Sequence, residues 1–197
     1  MWIPTDSVNA QALAGFDGFW CVPGMPYKNA DGAMRAIQYA RTSHTPFLGT
    51  SAGFQYAILE FARDVLGLNQ AEHHKANPKS AMPLISELSC ALAGAKARVR
   101  FLPGTHLRAA YGAPEAVEEY HCSHGFNNRY RRLFESNSLC IAALDDQDEV
   151  RAIELDGHPF FVATLFQPEL QAGGSPLVAA FAAACAKAHK GISKAAS

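Results

Sequence analysis

Long uninterrupted apolar runs are missing from this chain. Charges or prolines break each of them, so no stretch is long enough to cross a bilayer as a helix. An excess of charge of either sign is missing too. The 17 Lys and Arg residues nearly balance the 18 Asp and Glu residues, leaving a net charge of −1, which gives no electrostatic case for a nucleic acid or an anionic membrane as partner. There is no C-x-x-C pair and no zinc-ligand spacing. The five cysteines Cys21, Cys90, Cys122, Cys140 and Cys185 are dispersed and odd in number, a pattern that fits reduced thiols in a cytoplasm better than a disulfide framework. No signal-peptide pattern opens the sequence, no G-x-x-x-x-G-K-[ST] phosphate loop occurs, and there is neither an internal repeat nor a linker. The expectation is a cytoplasmic protein with no metal, no cofactor, no nucleic acid and no membrane partner.

What is present is enough apolar material for a full core. Of the 197 residues, 49% are hydrophobic, which suits one domain over residues 1–197. One stretch stands out, Pro46-Phe47-Leu48-Gly49-Thr50-Ser51-Ala52-Gly53-Phe54-Gln55. Thr45 to Leu48 reads as the end of a buried strand. From Phe54 the spacing becomes helical, with Phe54, Ile58, Phe61, Ala62 and Val65 on one face. Between them, Gly-Thr-Ser-Ala-Gly is a G-x-S-x-G pattern in strand–turn–helix order, the layout of a nucleophile elbow. The two glycines suit a turn where backbone approaches backbone and a Cβ would clash. An ordinary strand–turn–helix that happens to contain a serine is the plainer alternative.

Taken in order, Trp2-Ile3-Pro4 reads as the tail of a strand, Ala10 to Leu13 as a short helix or turn, and Phe16 to Val22 as a buried strand stopped by Pro23-Gly24. A loop from Met25 to Asp31 leads into a helix from Gly32 to Ser43. After the elbow helix, Gly67 is a plausible cap. Asn69 to Pro83 is polar and reads as a surface loop, with His73 and His74 solvated in it. Ala97 to Leu102 reads as a strand, Thr105 to Ala109 as another candidate strand, and Pro114 to Glu119 as a short helix or turn. Glu119-Tyr120-His121-Cys122-Ser123-His124 is dense in reactive side chains. Leu139 to Asp145, Val150 to Leu155 and Phe160 to Phe166 read as strands. An alanine-rich helix runs from Pro176 to Lys190, followed by a frayed tail from Gly191. Early strand–helix alternation followed by a late strand cluster implies an α/β fold with a mainly parallel sheet.

At this point the residues resemble a known family. Val22-Pro23-Gly24, a helix, a strand and then Gly49-Thr50-Ser51-Ala52-Gly53-Phe54-Gln55 are similar to the class I glutamine amidotransferase pattern, most like the C-terminal domain of CTP synthase and a group of proteins related to that region. Ala57 to Arg63 and His158 to Thr164, leading into Gln167-Pro168-Glu169, continue the likeness. The resemblance covers about Phe16 to Ala188. It implies a flavodoxin-like three-layer sandwich, a catalytic set at Ser51, Gln167 and Glu169, and a substrate site formed by Gly24, Gln55, His121 and Cys122. It also implies a glutamine-like amino acid or amide as ligand, and a synthetase partner chain if the protein is to take part in synthesis.

The departures from the family fall on the chemistry. Ser51 stands where the family carries its nucleophilic cysteine, and Gln167 where it carries its histidine base; only Glu169 is retained. A glutamine does not accept a proton at neutral pH, and an unassisted serine hydroxyl is a weak nucleophile, so ordinary glutaminase activity is not expected. Met25 replaces a second glycine in the oxyanion loop. A second reading is a serine hydrolase of the peptidase E or cyanophycinase kind, with His121, His124 or His158 taking the place of the base. A third is a non-catalytic regulatory domain. Cys122, beside a histidine, is either a reactive thiol or simply a small residue in a strand or turn.

One more expectation concerns the N-terminal side. The family has a strand and helix ahead of the segment that here reads Trp2-Ile3-Pro4, whereas only 15 residues precede Phe16, too few for a βαβ unit of roughly 30 or more. The domain is therefore expected to lack that strand and helix. The missing strand would leave a gap inside the sheet, with two rows of unpaired backbone groups and marginal stability.

Overall fold

The computed structural model describes residues 1–135 and 137–195, with side chains for these except 90 and 190–195. A short helix α1 (Ala10–Leu13) is started by Asn9, whose side chain accepts from the Ala12 N–H at 2.9 Å. Strand β1 (Phe19–Cys21) follows, then helix α2 (Ala30–Ser43), capped at its start by Asn29 and stopped by His44 in the left-handed region at φ 54°. Strand β2 (Phe47–Thr50) is wholly buried and runs into helix α3 (Ala52–Asp64), whose residues 52–62 are all buried. The later elements are β3 (Ala71–His73), β4 (Met82–Phe101), α4 (His106–Tyr111), β5 (Glu115–Phe126), β6 (Leu139–Leu144), β7 (Val150–Leu155), β8 (Phe161–Thr164) and α5 (Pro176–Ala195).

The eight strands among the described residues join one sheet in the order β1-β2-β8-β7-β6-β4-β3, with β5 paired on β4. The sheet is mixed. β1, β2 and β8 run parallel, and β3 is parallel to the start of β4. The pairs β8–β7, β7–β6, β6–β4 and β4–β5 are antiparallel. Helices cover both faces. Adjacent strand residues point to opposite sides, and Phe19 packs edge-on against Tyr39 of α2 while Trp20 packs against Phe181 of α5. This is the three-layer, flavodoxin-like arrangement that the motif order implied.

The late strands and the main helices lie where their patterning puts them, but several stretches differ. Trp2-Ile3-Pro4 forms no strand; a short 3-10 turn occupies Thr5–Ser7, and Trp2 is 81% exposed. The polar stretch 69–83 is not a plain loop, because it contains β3 and the beginning of β4. Residues 105–109 belong to helix α4 rather than a strand. Thr105 accepts from the Arg108 N–H at 3.0 Å, and the Glu154 carboxylate accepts from the N–H groups of His106 and Leu107 at 2.8 and 2.7 Å. This cap comes from a strand some fifty positions away, so local propensity has no view of it. Residues 114–119 open strand β5 instead of a helix or turn, and α5 continues through Ala195.

Strand β4 is 20 residues long. Its pairing with β5 jumps register between Glu87 and Leu92 and again between Ala93 and Ala95, and Gly94 takes φ +69° beside the second jump. Such bulges break the two-residue alternation from which a strand is read. The sheet path is continuous, so the internal gap with two unpaired rows is not found. β1 lies at one end of the path, and its outer edge pairs with no strand among the described residues.

Candidate functional site

The elbow is built by close approach. Ser51 sits between β2 and α3 at φ 54°, ψ −103°, a conformation an L-residue adopts only when its surroundings impose it. Its N–H donates to the Thr164 carbonyl at 2.8 Å, and its own carbonyl accepts from the Gln55 N–H at 3.3 Å. A Cβ on Gly53 would fall on the carbonyl oxygen of Cys21, and one on Gly49 would lie 2.9 Å from the Gly53 carbonyl group. The two glycines therefore let α3 leave β2 while touching β1, which places Ser51 at the carboxyl end of β2, where sheets of this kind hold ligands.

In front of Ser51 opens a cavity of about 330 Å³. The structure brings six of the seven expected site residues to its wall: Gly24, Ser51, Gln55, His121, Cys122 and Gln167. The seventh, Glu169, stands behind the wall. One of its carboxylate oxygens accepts from the Thr50 hydroxyl at 3.3 Å, which in turn accepts from the Trp20 indole N–H at 3.1 Å. Its other oxygen has no partner among the described residues. Burial pushes the Glu169 carboxyl pKa up, and the nearby Gln167 and Thr50 side chains act in the opposite direction.

The Ser51 hydroxyl faces Cys122, with Oγ and Sγ 3.0 Å apart, and the Cys122 thiol also meets the Leu165 carbonyl at 3.3 Å. Burial raises the Cys122 pKa, against a smaller opposing effect of the Ser51 contact, so the group is held as a thiol rather than a thiolate. Gln167 is fixed through its backbone N–H, which donates to the Glu119 carbonyl at 2.8 Å; its buried side-chain Oε1 has no partner among the described residues. No imidazole hydrogen-bonds to Ser51 among the described residues.

The three candidate histidines separate clearly. His121 and His124 line the cavity. His121 Nε2 meets the Glu119 carboxylate at 3.0 Å, and His124 Nδ1 meets the Ser123 hydroxyl at 3.0 Å. His158 is remote from the cavity: its Nε2 donates to the Ala40 carbonyl at 3.1 Å, while Nδ1 accepts from the Phe160 N–H at 3.2 Å. With both nitrogens engaged in holding α2 to the sheet, His158 has no part in the site.

His73, expected to be solvated in a loop, is buried against the elbow helix. Its Nδ1 accepts from the Lys75 N–H at 3.1 Å, which puts the proton on Nε2 for donation to the Gln55 carbonyl oxygen at 3.1 Å. The Gln55 amide then donates to the His124 carbonyl at 2.9 Å. Burial first, then His124, Lys75 and His74, hold the His73 pKa down at about 4, so the ring is neutral at physiological pH. Gln55 is thereby oriented at both ends. His73, Lys75, Met25 and Ser123 also line the cavity; Met25 is the residue expected in the oxyanion loop and Ser123 belongs to the reactive cluster, whereas His73 and Lys75 lie in the stretch read as a surface loop. The one local signal for β3 was the apolar Ala71 set among polar neighbours.

The glutamine amidotransferase class-I family profile matches residues 1–176. The chain is 32% identical to a CTP synthase of Cytophaga hutchinsonii, an alignment covering 86% of this chain and 34% of that protein. It is 34% identical to a CTP synthase of Carboxydothermus hydrogenoformans, over 96% of this chain and 38% of that one. The chain thus spans a little over a third of the length of these relatives. Among solved structures, it superposes on the glutaminase domain of Trypanosoma brucei CTPS, a structure with bound acivicin, with a TM-score of 0.89 at 24% identity, covering 95% of this chain and 80% of that one. At that identity the likeness supports the shared fold.

Proposed function

The chain belongs to the class I glutamine amidotransferase family, and from that premise we propose that it is a CTP-synthase-like amidotransferase domain that has given up ordinary glutamine hydrolysis and holds an amide-bearing small molecule at its elbow. The observation that carries this reading is the Ser51–Cys122 contact of 3.0 Å, in a site where no base among the described residues hydrogen-bonds to the hydroxyl. In this reading Ser51 stands where the family has cysteine, and Gln167 where it has histidine. A carboxamide neither removes the hydroxyl proton nor returns one to a leaving amine. The thiol that is present, Cys122, is held protonated by burial. Binding elements nevertheless persist: a cavity of about 330 Å³, a Gln55 oriented at both ends, and Gln167 on the wall. Any role in nitrogen transfer then depends on a synthetase domain outside this sequence.

The test is ammonia release from glutamine and from glutaramate, its analogue without the α-amino group. The wild-type protein is expected to release none above background. The double variant Ser51→Cys with Gln167→His is expected to hydrolyse at least one of the two amides, because the elbow and Glu169 are already in place. Wild-type turnover on the order of 1 s⁻¹, ordinary for an enzyme, would overturn the proposal. Labelling of Ser51 by a fluorophosphonate would instead favour the serine-hydrolase reading.

A further inference from the structure

We infer that the cavity in front of Ser51 selects an amide that carries a negatively charged group and no free amino group, in preference to an amino acid. The inference rests on the amide-binding reading above and names the class of ligand that site takes. Its basis is the charge inventory of the wall. Of the chain's 18 Asp and Glu residues, none lines the cavity. The cation Lys75 does, and it forms no ion pair among the described residues. Of the nearby carboxylates, Glu169 stands behind the wall and Glu87 lies on the exposed side of His124, its partner across the strands, while two others are taken up in ion pairs. Glu119 is taken by His121 at 3.0 Å and Lys96 at 3.7 Å, and Glu72 by Arg63 at 2.8 Å.

An amino acid would bring an ammonium group into this space. That group would leave water, meet no carboxylate and face Lys75, a combination that opposes binding. A carboxylate or phosphate has the opposite fit, with Lys75 and the Ser51 and Ser123 hydroxyls as partners. A second and independent feature points to the amide. Gln167 lines the cavity, is only 8% exposed, and its Oε1 has no donor among the described residues. A buried carbonyl oxygen left unmet is costly; this one is closed to solvent as it stands, so the N–H₂ of a primary amide would satisfy it once the Gln167 side chain turns toward the ligand. The wall therefore calls for a donor at Gln167 and an anion at Lys75.

Titration calorimetry with glutamine, glutaramate and glutarate separates the possibilities. Glutaramate differs from glutamine only in the missing amino group, and glutarate replaces the amide by a second carboxylate. Glutaramate is expected to bind the wild-type protein about tenfold or more tightly than glutamine, and Lys75→Glu, at an exposed position, is expected to abolish or reverse that preference. Glutamine binding as tightly as glutaramate would overturn the inference and leave the amide reading standing, as would a preference unchanged in Lys75→Glu. Glutarate binding without glutaramate binding would keep the anion preference and overturn the amide reading. Absence of binding by all three up to about 10 mM, weaker than any ordinary specific site, would overturn both.

Discussion

Glu118 shows how a single residue near the site sets a cost. It is buried at the start of β5. One oxygen accepts from the Tyr111 hydroxyl at 2.6 Å and from the Gln171 amide, and the other has no partner among the described residues. Burial, with some help from the negative charge of Glu169, pushes its pKa up from 4.5 to about 7. Between those two values the folded protein keeps a proton that the unfolded chain has released, so stability falls as pH rises through the window. Charging Glu118 costs on the order of 3 kcal/mol by that linkage. Glu118→Gln should remove this loss, raising the urea midpoint at pH 8 relative to wild type far more than at pH 4.5; an equal shift at both would show that the carboxyl does not titrate this way. His73 makes a related point. Its neutral Nε2–H orients the Gln55 carbonyl, so His73→Ala should leave Gln55 held only through its bond to the His124 carbonyl and, with a lining side chain also gone, weaken ligand binding measured by calorimetry.

At the scale of elements, the elbow and the α2–α3 contact decide whether the site exists. Because a Cβ on Gly53 would collide with the Cys21 backbone carbonyl, Gly53→Ala should force α3 away from β1 and cost about 3 kcal/mol or more. Thermal unfolding of the variant beside Gly67→Ala, whose Cβ would meet nothing within 4 Å, separates this collision from backbone strain alone; comparable losses in the two variants would refute it. Helices α2 and α3 are joined by Arg41, whose Nη2 donates to Glu60 at 2.7 Å while its Nε meets both carboxylate oxygens at 3.0 Å. The Glu60 side chain is 0% exposed. Arg41→Ala strands a buried acid, whose cost is about 3 kcal/mol in comparable pairs. Adding Glu60→Leu should recover much of it; chemical denaturation that shows no recovery would mean that Arg41 acts mainly through its packing.

For the whole molecule, one sheet carries both halves of the chain. β8, near the end of the sequence, lies between β2 and β7, and the 20-residue β4 reaches from β3 at one margin to β6. Neither half has a separate core, so unfolding should be a single transition. Far-ultraviolet circular dichroism and the fluorescence of Trp20, packed between Thr50 and Phe181, should report the same midpoint. Two separated midpoints would mean that the parallel and antiparallel parts of the sheet fold independently. No helix among the described residues is long and apolar enough to cross a membrane.

The elbow, the main helices and the late strands were legible in the sequence because their signals are local. Gly49 answers a steric demand from Gly53 four residues on, though Gly53 itself answers to Cys21 of β1, and the apolar spacing of 54–62 and the largely apolar run 160–166 reflect burial on one or both sides. Family membership was legible for the same reason, since it rests on two such local motifs. Only the tertiary structure decided the rest. The strand character of 115–126 depends on pairing with a bulged β4, and α4 depends on a cap from Glu154. His73 reaches Gln55, and Cys122 reaches Ser51, across 18 and 71 positions of chain. The charge of the cavity wall is likewise a sum over residues from 23 to 167. A sequence pattern records what each segment needs from its immediate neighbours; which distant partner satisfies that need is fixed when the sheet closes and side chains from separate strands come to share one space.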